Sequence, residues 1–373
     1  MGTPWETIIK VYRQQLGDRS FGTVDEYQKD FLNFLRAKNY FDIADNSLDE
    51  VRRTLRSIVN GLLRDLMQEN NDYASLSLDE IPKKASSDLA DKIKSYIGLI
   101  KKNSKKLPDF EVFELSEFSS EYVKYFKDCL DGSPSKDKFV FSEDLIRLFV
   151  ELYFELYTRE QSFSSEYTGL VFTGFGDEEI FPQLLPIKVS FVMSNRLRYF
   201  VDEDASAVIG KGLDGAICPF AQVDVIDTIL QGIDPQFEET INQNFEKAFK
   251  KYNLLLAGIV RNKDEDLAKQ IEGIDIQSLM DSILETNDEY KRLKHIQPLM
   301  NAVETLSKED LAEMAESLIY LTYLKRRITF AEESVGGPVD VAIISKGDGM
   351  VWIKRKHYFD PKLNTNFFKN YLR

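Results

Sequence analysis

Two short apolar runs near the end of the chain, joined by a glycine-rich turn, constrain the fold more than any other feature. Residues 339–344 read Val-Asp-Val-Ala-Ile-Ile, and residues 350–353 read Met-Val-Trp-Ile. Between them, Gly347 and Gly349 flank Asp348 and can adopt the positive φ that a short reversal needs. The pattern predicts a β-hairpin. Because successive side chains point to opposite faces and both faces of the first run are apolar, we expect the hairpin to be buried on both faces.

A long helix is predicted directly before this hairpin. Residues 307–327 carry apolar side chains at helical spacing, and Ser307 followed by Asp310 is typical of a helix N-terminus. The end of the chain therefore reads as a helix that leads into a central sheet.

The composition is that of a folded protein with a large core. The chain has 373 residues, of which 43% are hydrophobic and 12% aromatic, and this length leaves room for a second lobe. Its formal net charge of -14 argues against a general nucleic-acid binder or a binder of anionic membranes.

Cysteine usage and the N-terminus indicate the compartment. Cys129 and Cys218 are the only cysteines, and their spacing suggests neither a disulfide framework nor a zinc site. The first residues lack the pattern of a signal or transit peptide, and no apolar run approaches the ~20 residues that cross a bilayer. We expect a soluble, cytoplasmic protein.

The first 165 residues have the pattern of successive helices. Capping-box patterns at residues 3–6, 23–26 and 47–50 predict three helices, which we assign to residues 1–67 as the opening helices of a sandwich domain. Residues 68–165 keep a looser helical spacing, interrupted by prolines and by a Gly-Ser-Pro segment, and are assigned to an α-helical insertion.

The period then changes from helical to alternating. Residues 167–173 predict a strand, and residues 185–193 with 197–201 predict a hairpin around residues 194–196. With the short helix that follows, residues 166–234 are assigned to the sandwich strands and helix.

Helical spacing returns after this segment. Residues 235–305 are assigned to a second helical insertion, interrupted near Gly273 and Pro298, and residues 306–373 to the long helix, the final hairpin and a C-terminal tail. The order of helices, strands, helices and strands favours a mixed α+β layered domain over a parallel βαβ sheet.

Two segments resemble the proteasome-type N-terminal-nucleophile (Ntn) hydrolases. Residues 174–184 read Gly-Phe-Gly-Asp-Glu-Glu-Ile-Phe-Pro-Gln-Leu, which looks like the segment in which a buried strand of that family ends in a glycine-aromatic turn. A helix ending near residues 324–327, followed by Val-Gly-Gly-Pro-Val-Asp-Val-Ala-Ile-Ile at 335–344, is similar to the last long helix and following strands of proteasome β-like subunits. The resemblance covers roughly residues 167–232 and 307–354. It implies an αββα four-layer sandwich, here incomplete and with large α-helical insertions.

The resemblance also implies a chemistry that this chain does not carry. Members of the family hold a Thr, Ser or Cys nucleophile as the first residue of their first strand, and its own α-amino group acts as the general base. This sequence opens on a capped helix, and no position matches the nucleophile, so no catalytic residue is carried over. For a form of the protein that includes the strands bearing the nucleophile, the resemblance implies hydrolysis of amide or peptide bonds. For a chain without those strands, it implies an inactive protein.

A noncatalytic assembly or protein-interaction scaffold is the competing interpretation, because kinship of fold does not confer activity. An incomplete sandwich would leave an unpaired strand edge and an apolar face, unless the helical insertion covers that face. We therefore expect self-association, binding of a protein partner, or poor solubility of the isolated chain.

Several residues are candidates for a chemical role. Thr3 would become the first residue if Met1 and Gly2 were removed, but its place in a capping box favours an N-cap role. His295 and His357 stand at no ligand spacing to another histidine or cysteine, which favours surface roles over a metal site.

The acidic turn formed by Asp177, Glu178 and Glu179 could bind a cation, although a solvated loop is favoured. Residues 174–176 lack the third glycine of a dinucleotide fingerprint, and the chain has no phosphate-binding lysine loop. The sequence therefore predicts no cofactor.

Two basic segments were considered as binding surfaces. Residues 101–106 contain four lysines, and a solvated helix end that complements the helix dipole is favoured over a nucleic-acid patch. Residues 354–359 begin a basic and aromatic tail that continues to Phe367, Phe368 and Tyr371. Docking of this tail on its own chain is favoured over docking on a neighbour.

Overall fold

A computed structural model describes most of the chain. The described residues are 3–38, 52–58, 60–62, 81–131, 140–160, 167–194, 196–210, 212–220, 223–328, 339–357 and 359–366. The chain divides into two compact units. The first comprises Met1–Glu179 and Gln183–Ser206, and the second comprises Ile180–Pro182 and Ala207–Arg373. The boundary falls inside the segment that the sequence assigned to residues 166–234.

The first unit contains five named helices and three strands among its described residues. In chain order they are α1 (Trp5–Leu16), α2 (Val24–Lys38), α3 (Ile81–Asn103), a 3-10 turn (Pro108–Phe110), α4 (Leu115–Asp131), α5 (Glu143–Thr158), β1 (Thr168–Gly174), β2 (Gln183–Met193) and β3 (Arg196–Val201). Residues 52–58 and 60–62 are also helical. The helical and strand segments predicted here are confirmed where the structure describes them.

Strands β1, β2 and β3 form an antiparallel meander with β2 in the middle. Thr168 lies opposite Val189 at the β1–β2 pairing, and Ile187 lies opposite Val201 at the β2–β3 pairing. One face packs on α1 and α2, where Ile187 and Val189 are buried with side chains of the two helices. The sheet therefore has one apolar face covered by the opening helices.

The other face of this sheet meets α5. Because side chains alternate along β3, Leu197 and Tyr199 point to α1 and α2 while Arg198 and Phe200 point away from them. Arg198 is buried, and its Nε donates to the carbonyl oxygen of Tyr157 over 2.9 Å. Phe200 packs against a second apolar cluster, which is formed mainly by α3, α4 and α5. The described sheet of the first unit thus lies between two helical layers.

That second cluster is built from α3, α4 and α5 and is strongly aromatic. Phe118 is fully buried at its centre and stacks on Tyr153, with ring centroids 6.0 Å apart. Phe113, Phe126 and Phe154 pack against Phe118 from other directions. The core of these three helices is therefore held together largely by contacts between aromatic rings.

The second unit contains six named helices and three short strands among its described residues. They are β4 (Ala207–Val208), α6 (Asp224–Gln231), α7 (Pro235–Arg261), α8 (Glu265–Glu272), α9 (Gln277–Lys291), a π-helical turn (Arg292–Ile296), α10 (Gln297–Thr305), α11 (Lys308–Ile328), β5 (Val341–Ser345), β6 (Gly349–Lys354) and a final 3-10 turn (Pro361–Leu363). The interruption predicted near Gly273 is confirmed, because α8 ends there. Near Pro298 the chain stays helical, and the irregularity is the π-helical turn that precedes α10.

The predicted hairpin is present, but its predicted burial is wrong. Strands β5 and β6 pair antiparallel around a turn, and Gly349 adopts a φ of +68°. Val341 is buried, whereas every residue of β6 is exposed. The physical reason is that β5 packs on α11, whereas β6 lies at the outer edge of the two-stranded sheet.

The helix caps give a mixed result. The capping box at residues 23–26 forms in both directions: the Glu26 amide donates to Thr23 Oγ1 and the Thr23 amide donates to a carboxylate oxygen of Glu26. Ser307 accepts from the Asp310 amide at the start of α11. The cap predicted at Thr3 is wrong, because α1 begins at Trp5 with Pro4 at its cap and no side-chain cap bond. Residues 47–50 lie outside the described residues.

Within the part of the chain that the structure describes, no helix is both long and apolar enough to span a bilayer.

Candidate functional site

The acidic turn after β1 docks on the loop between α1 and α2. The backbone amides of Asp177 and Glu178 donate to the carbonyl oxygens of Phe21 and Gly22 over 2.9 and 3.0 Å. Ser20 Oγ donates to Asp177 Oδ2 over 2.5 Å. The sequence favours a solvated loop here. The side chains of Asp177 and Glu178 are exposed, but the backbone of the turn is hydrogen-bonded to the loop between α1 and α2.

Glu179 completes this contact at the start of α2. Its Oε2 accepts from the amides of Gly176 and Val24, over 2.7 and 3.2 Å. The Val24 amide is one of those that open α2 without an intrahelical partner, so the carboxylate satisfies it and complements the helix dipole. This role is structural.

Gly176 is required by the close approach of the two segments. A Cβ atom built on Gly176 would lie closer than 3.0 Å to the carbonyl oxygen of Gly22 and to the Cα of Thr23. Both are backbone atoms, which cannot rotate away. Gly176, one of the residues on which the family resemblance rests, thus has a structural explanation within the first unit.

A groove lined by polar side chains lies in the first unit. It has a volume of about 630 Å³ and lies between α3, α4 and α5. Its polar lining side chains are Ser86, Ser87, Lys94, Ser119, Ser142, Asp144, Arg147 and Glu151. A volume of this order suits a small ligand.

The chemistry of the groove favours structure over catalysis. Ser142 Oγ accepts from the Leu145 amide as the N-cap of α5, and Ser86 Oγ donates to the Pro82 carbonyl oxygen. Glu151 is paired with Lys101 over 2.7 Å. The described lining residues include no histidine or cysteine, so the groove holds no nucleophile with an imidazole base.

The two cysteines and two histidines form no reactive group in the described structure. Burial raises the pKa of the Cys218 thiol, which keeps it protonated and unreactive at neutral pH. The ring of His295 covers Gly232, the left-handed cap that ends α6, and His357 lies 5.2 Å from Phe359 between ring centroids. Among the described residues, no cluster of three or more His, Cys, Asp or Glu side chains could hold a metal ion.

Both basic segments make contacts within the chain. Lys101 pairs with Glu151, and Lys106 Nζ donates to the Phe113 carbonyl oxygen over 2.9 Å. In the tail, the Lys356 amide donates to Asp340 Oδ1 over 2.6 Å, which ties the start of the tail to the base of its own hairpin. Phe367, Phe368 and Tyr371 lie outside the described residues.

The second unit differs sharply from the first in how it uses apolar residues. Each of its helices α7 to α11 buries a single apolar side chain among the described residues, and most of these are small: Ala257, Ala268, Met280, Val303 and Ala312. Many large apolar side chains of the same helices stay exposed. Contiguous apolar surface of this kind marks interaction sites.

The clearest case is a stripe along α7, which we call the α7 stripe. Its members are Phe245, Tyr252, Leu255 and Ile259, all exposed, with Ile259 at 74%. Phe245, Tyr252 and Ile259 are spaced seven residues apart, and Leu255 falls between the last two at the spacing of a coiled-coil seam. The buried Ala257 lies on another side of α7, so the stripe faces away from the packed side of the helix.

The α7 stripe was missed at the level of sequence, where residues 235–305 were assigned only to a helical insertion. The seven-residue spacing was available as a signal. What the spacing cannot reveal is whether a neighbouring helix of the same chain covers the seam.

No protein-family model, curated protein or solved structure matches this chain. The function is therefore argued from the described residues and from the resemblance noted in the sequence.

Proposed function

We propose that this chain is a noncatalytic protein-interaction scaffold. The first unit is the packed body, with its aromatic core and its layered sheet. The second unit presents apolar side chains to a protein partner. The observation that carries the proposal is the exposed α7 stripe, in a unit whose helices bury mostly small side chains.

The partner chemistry follows from the spacing of the stripe. A seam with apolar residues every 3.5 positions packs against a helix with a matching seam, each side chain inserting between residues of the other helix. The stripe runs over residues 245–259, which spans roughly 20 Å of helix at 1.5 Å per residue. We therefore propose an amphipathic helix of about four turns as the element that binds there.

Burial of the α7 stripe contributes part of the free energy that a specific contact needs. Fully burying a large apolar side chain contributes about 1.5–3 kcal/mol, and the stripe side chains are already partly covered by their own helix. Burying the remainder of four such side chains gives roughly 4 kcal/mol before the costs of association. A partner would need further contacts, which the rest of the apolar surface of the second unit can supply.

The experiment is site-specific photocrosslinking in cells that express the full chain. The photoreactive amino acid p-benzoylphenylalanine is placed at Tyr252, in the middle of the stripe and 59% exposed. The matched control is the same amino acid at Tyr96, an aromatic residue of the first unit that is 38% exposed.

We expect a discrete crosslinked species from position 252 and none from position 96. The crosslink should weaken when Leu255→Lys is added, because a charge in the seam opposes its burial. Absence of any crosslink from position 252, or an equal yield from position 96, would overturn the proposal.

The hydrolase interpretation stays a separate prediction. Its support is the sequence resemblance at residues 174–184 and 335–344, together with a fold that mixes helices and strands. An Ntn-like sandwich would further require strands that bear a nucleophile. The test is an amide-hydrolysis assay on a chain extended by whatever in-frame sequence precedes Met1. A stop codon directly upstream, or an extended chain without hydrolytic activity, would remove this interpretation.

A further inference from the structure

The outer strand of the terminal hairpin is an apolar edge in solvent. Every residue of β6 is exposed, including Met350 at 56% and Trp352 at 43%. Among the described residues, the only strand paired with β6 is β5. An edge strand has a free row of backbone donors and acceptors, and apolar side chains on such an edge favour pairing with another strand.

Contacts with α11 hold the hairpin in place, and the outer edge of β6 stays exposed to solvent. Lys354 pairs with Glu316 of α11 over 2.5 Å, and Lys308 at the start of α11 pairs with Asp348 over 2.8 Å. Val341 of β5 is buried. These contacts anchor both ends of the hairpin to α11, while the side chains of β6 remain outside.

We propose that β6 pairs with β6 of a second copy of this chain, antiparallel and about a twofold axis at Val351. The two hairpins then form one four-stranded sheet in the order β5, β6, β6, β5. This inference is carried by β6 and does not depend on the α7 stripe.

The sequence of β6 is self-complementary in this register. With Val351 opposite Val351, Met350 lies opposite Trp352 of the second copy, which pairs a thioether with an indole ring. Asp348, in the turn before β6, lies opposite Lys354 of the second copy, which brings opposite charges near each other twice across the axis, beside the ion pairs that these residues make with Lys308 and Glu316 of their own chain. Parallel pairing in register would instead place Lys354 against Lys354 and Asp348 against Asp348. Charge therefore selects the antiparallel arrangement.

The direct test is disulfide trapping of the full chain in a background of Cys129→Ser and Cys218→Ser. Residues that face each other across an antiparallel pair have Cα atoms about 4.5–5.5 Å apart, which is within the range of a disulfide. Val351→Cys should therefore form a covalent dimer under mild oxidation.

Two matched controls lie in the same hairpin. In the proposed sheet, Ile344 of β5 is three strand spacings from its counterpart, about 14 Å, so Ile344→Cys should not crosslink. Ile353 of β6 is displaced from its counterpart by four residues along the strand, about 13 Å, so Ile353→Cys should not crosslink either. The first control tests the strand and the second tests the register.

Sedimentation velocity without oxidant completes the experiment. We expect the unmodified chain to shift from monomer to dimer as its concentration rises. Val351→Lys should stay monomeric because two lysines would face each other, whereas Ile344→Lys should still dimerise. Circular dichroism confirms that both variants fold.

A chain that stays monomeric throughout would overturn the inference. So would Val351→Cys that crosslinks no faster than Ile353→Cys, or Val351→Lys that dimerises like the unmodified chain. If Val351→Lys is monomeric but position 252 still crosslinks a protein, the proposed function holds and the strand pairing is a separate contact. If Val351→Cys fails and position 252 still crosslinks, only the strand pairing is overturned.

Discussion

Replacing Gly176 by alanine should destabilise the first unit strongly. The added Cβ would lie closer than 3.0 Å to backbone atoms of Gly22 and Thr23, where ordinary van der Waals contact is 3.4–4 Å. Neither backbone atom can rotate aside, so the acidic turn must move away from the loop between α1 and α2.

The magnitude follows from the contacts that such a movement breaks. The turn donates two backbone hydrogen bonds to the loop, from Asp177 and Glu178, and each contributes about 1 kcal/mol. Residual overpacking adds about 1 kcal/mol that relaxation does not remove. We therefore expect Gly176→Ala to lower the free energy of unfolding of the first unit by about 3 kcal/mol.

The assay is urea unfolding followed by the fluorescence of Trp5, in a Trp352→Phe background. Trp5 belongs to the first unit, and its indole Nε1 donates to Thr168 Oγ1 over 3.0 Å, so its emission reports on the contact between α1 and β1. With a slope of about 3 kcal/mol per molar, the midpoint should fall by about 1 M.

Gly98 supplies the matched control because it lies within α3 and a Cβ there would meet open space. Gly98→Ala should leave stability unchanged or raise it by up to about 1 kcal/mol, through its higher helix propensity. A midpoint for Gly176→Ala equal to that of the unmodified chain would refute the docking of the turn.

Three further predictions concern the first unit. Phe118→Ala should lower the free energy of unfolding by about 3–5 kcal/mol in the same assay, because it empties the centre of the aromatic core. Phe237→Ala, on the exposed surface of α7, should leave the free energy of unfolding unchanged. Equal effects of the two substitutions would contradict the assignment of Phe118 to the core. Thr23→Ala should lower the free energy of unfolding by about 1 kcal/mol, because it removes the N-cap of α2. An unchanged free energy of unfolding would show that the cap is dispensable. Burial and the hydrogen bond to Asp30 raise the pKa of Tyr12. In the unfolded chain this hydroxyl loses its proton near pH 10, below its pKa in the folded chain, so the free energy of unfolding should fall as the pH rises above about 10. The fall should be less steep in Tyr12→Phe. Equal slopes of stability against pH in the two proteins would contradict this prediction.

The secondary structure could be predicted well because its signals are local. The capping boxes at residues 23–26 and 307–310 and the alternation in β1 to β3 depend on neighbouring residues alone. The cap at Thr3 failed by one position, because the first intrahelical hydrogen bonds are accepted by the Pro4 carbonyl oxygen and α1 begins at Trp5.

Burial was harder to predict because it depends on what packs against each element. Residues 339–344 and 350–353 carry equally apolar patterns, yet Val341 is buried and Met350 is exposed. The difference is that β5 packs closely on α11 whereas β6 is the outer strand of the hairpin, which no local pattern encodes. The apolar pattern of β6 still holds information, since it marks a strand that gains from being covered.

Only part of the candidate interaction surface, the α7 stripe, could be predicted from the sequence. The seven-residue spacing of Phe245, Tyr252 and Ile259 could be read directly. Its exposure could not be, because α8 packs on a different side of α7. The groove between α3, α4 and α5 could not be predicted at all, because it brings together side chains from three helices separated in sequence.

The most direct test of the interaction scaffold is residue-resolved carbene footprinting of the chain, in its native complex and after purification. The account predicts that the α7 stripe labels several-fold less in the native complex, while Val112 of the first unit, 83% exposed, labels equally in both. Equal labelling of the stripe in the two states would contradict the proposal that a protein partner covers it.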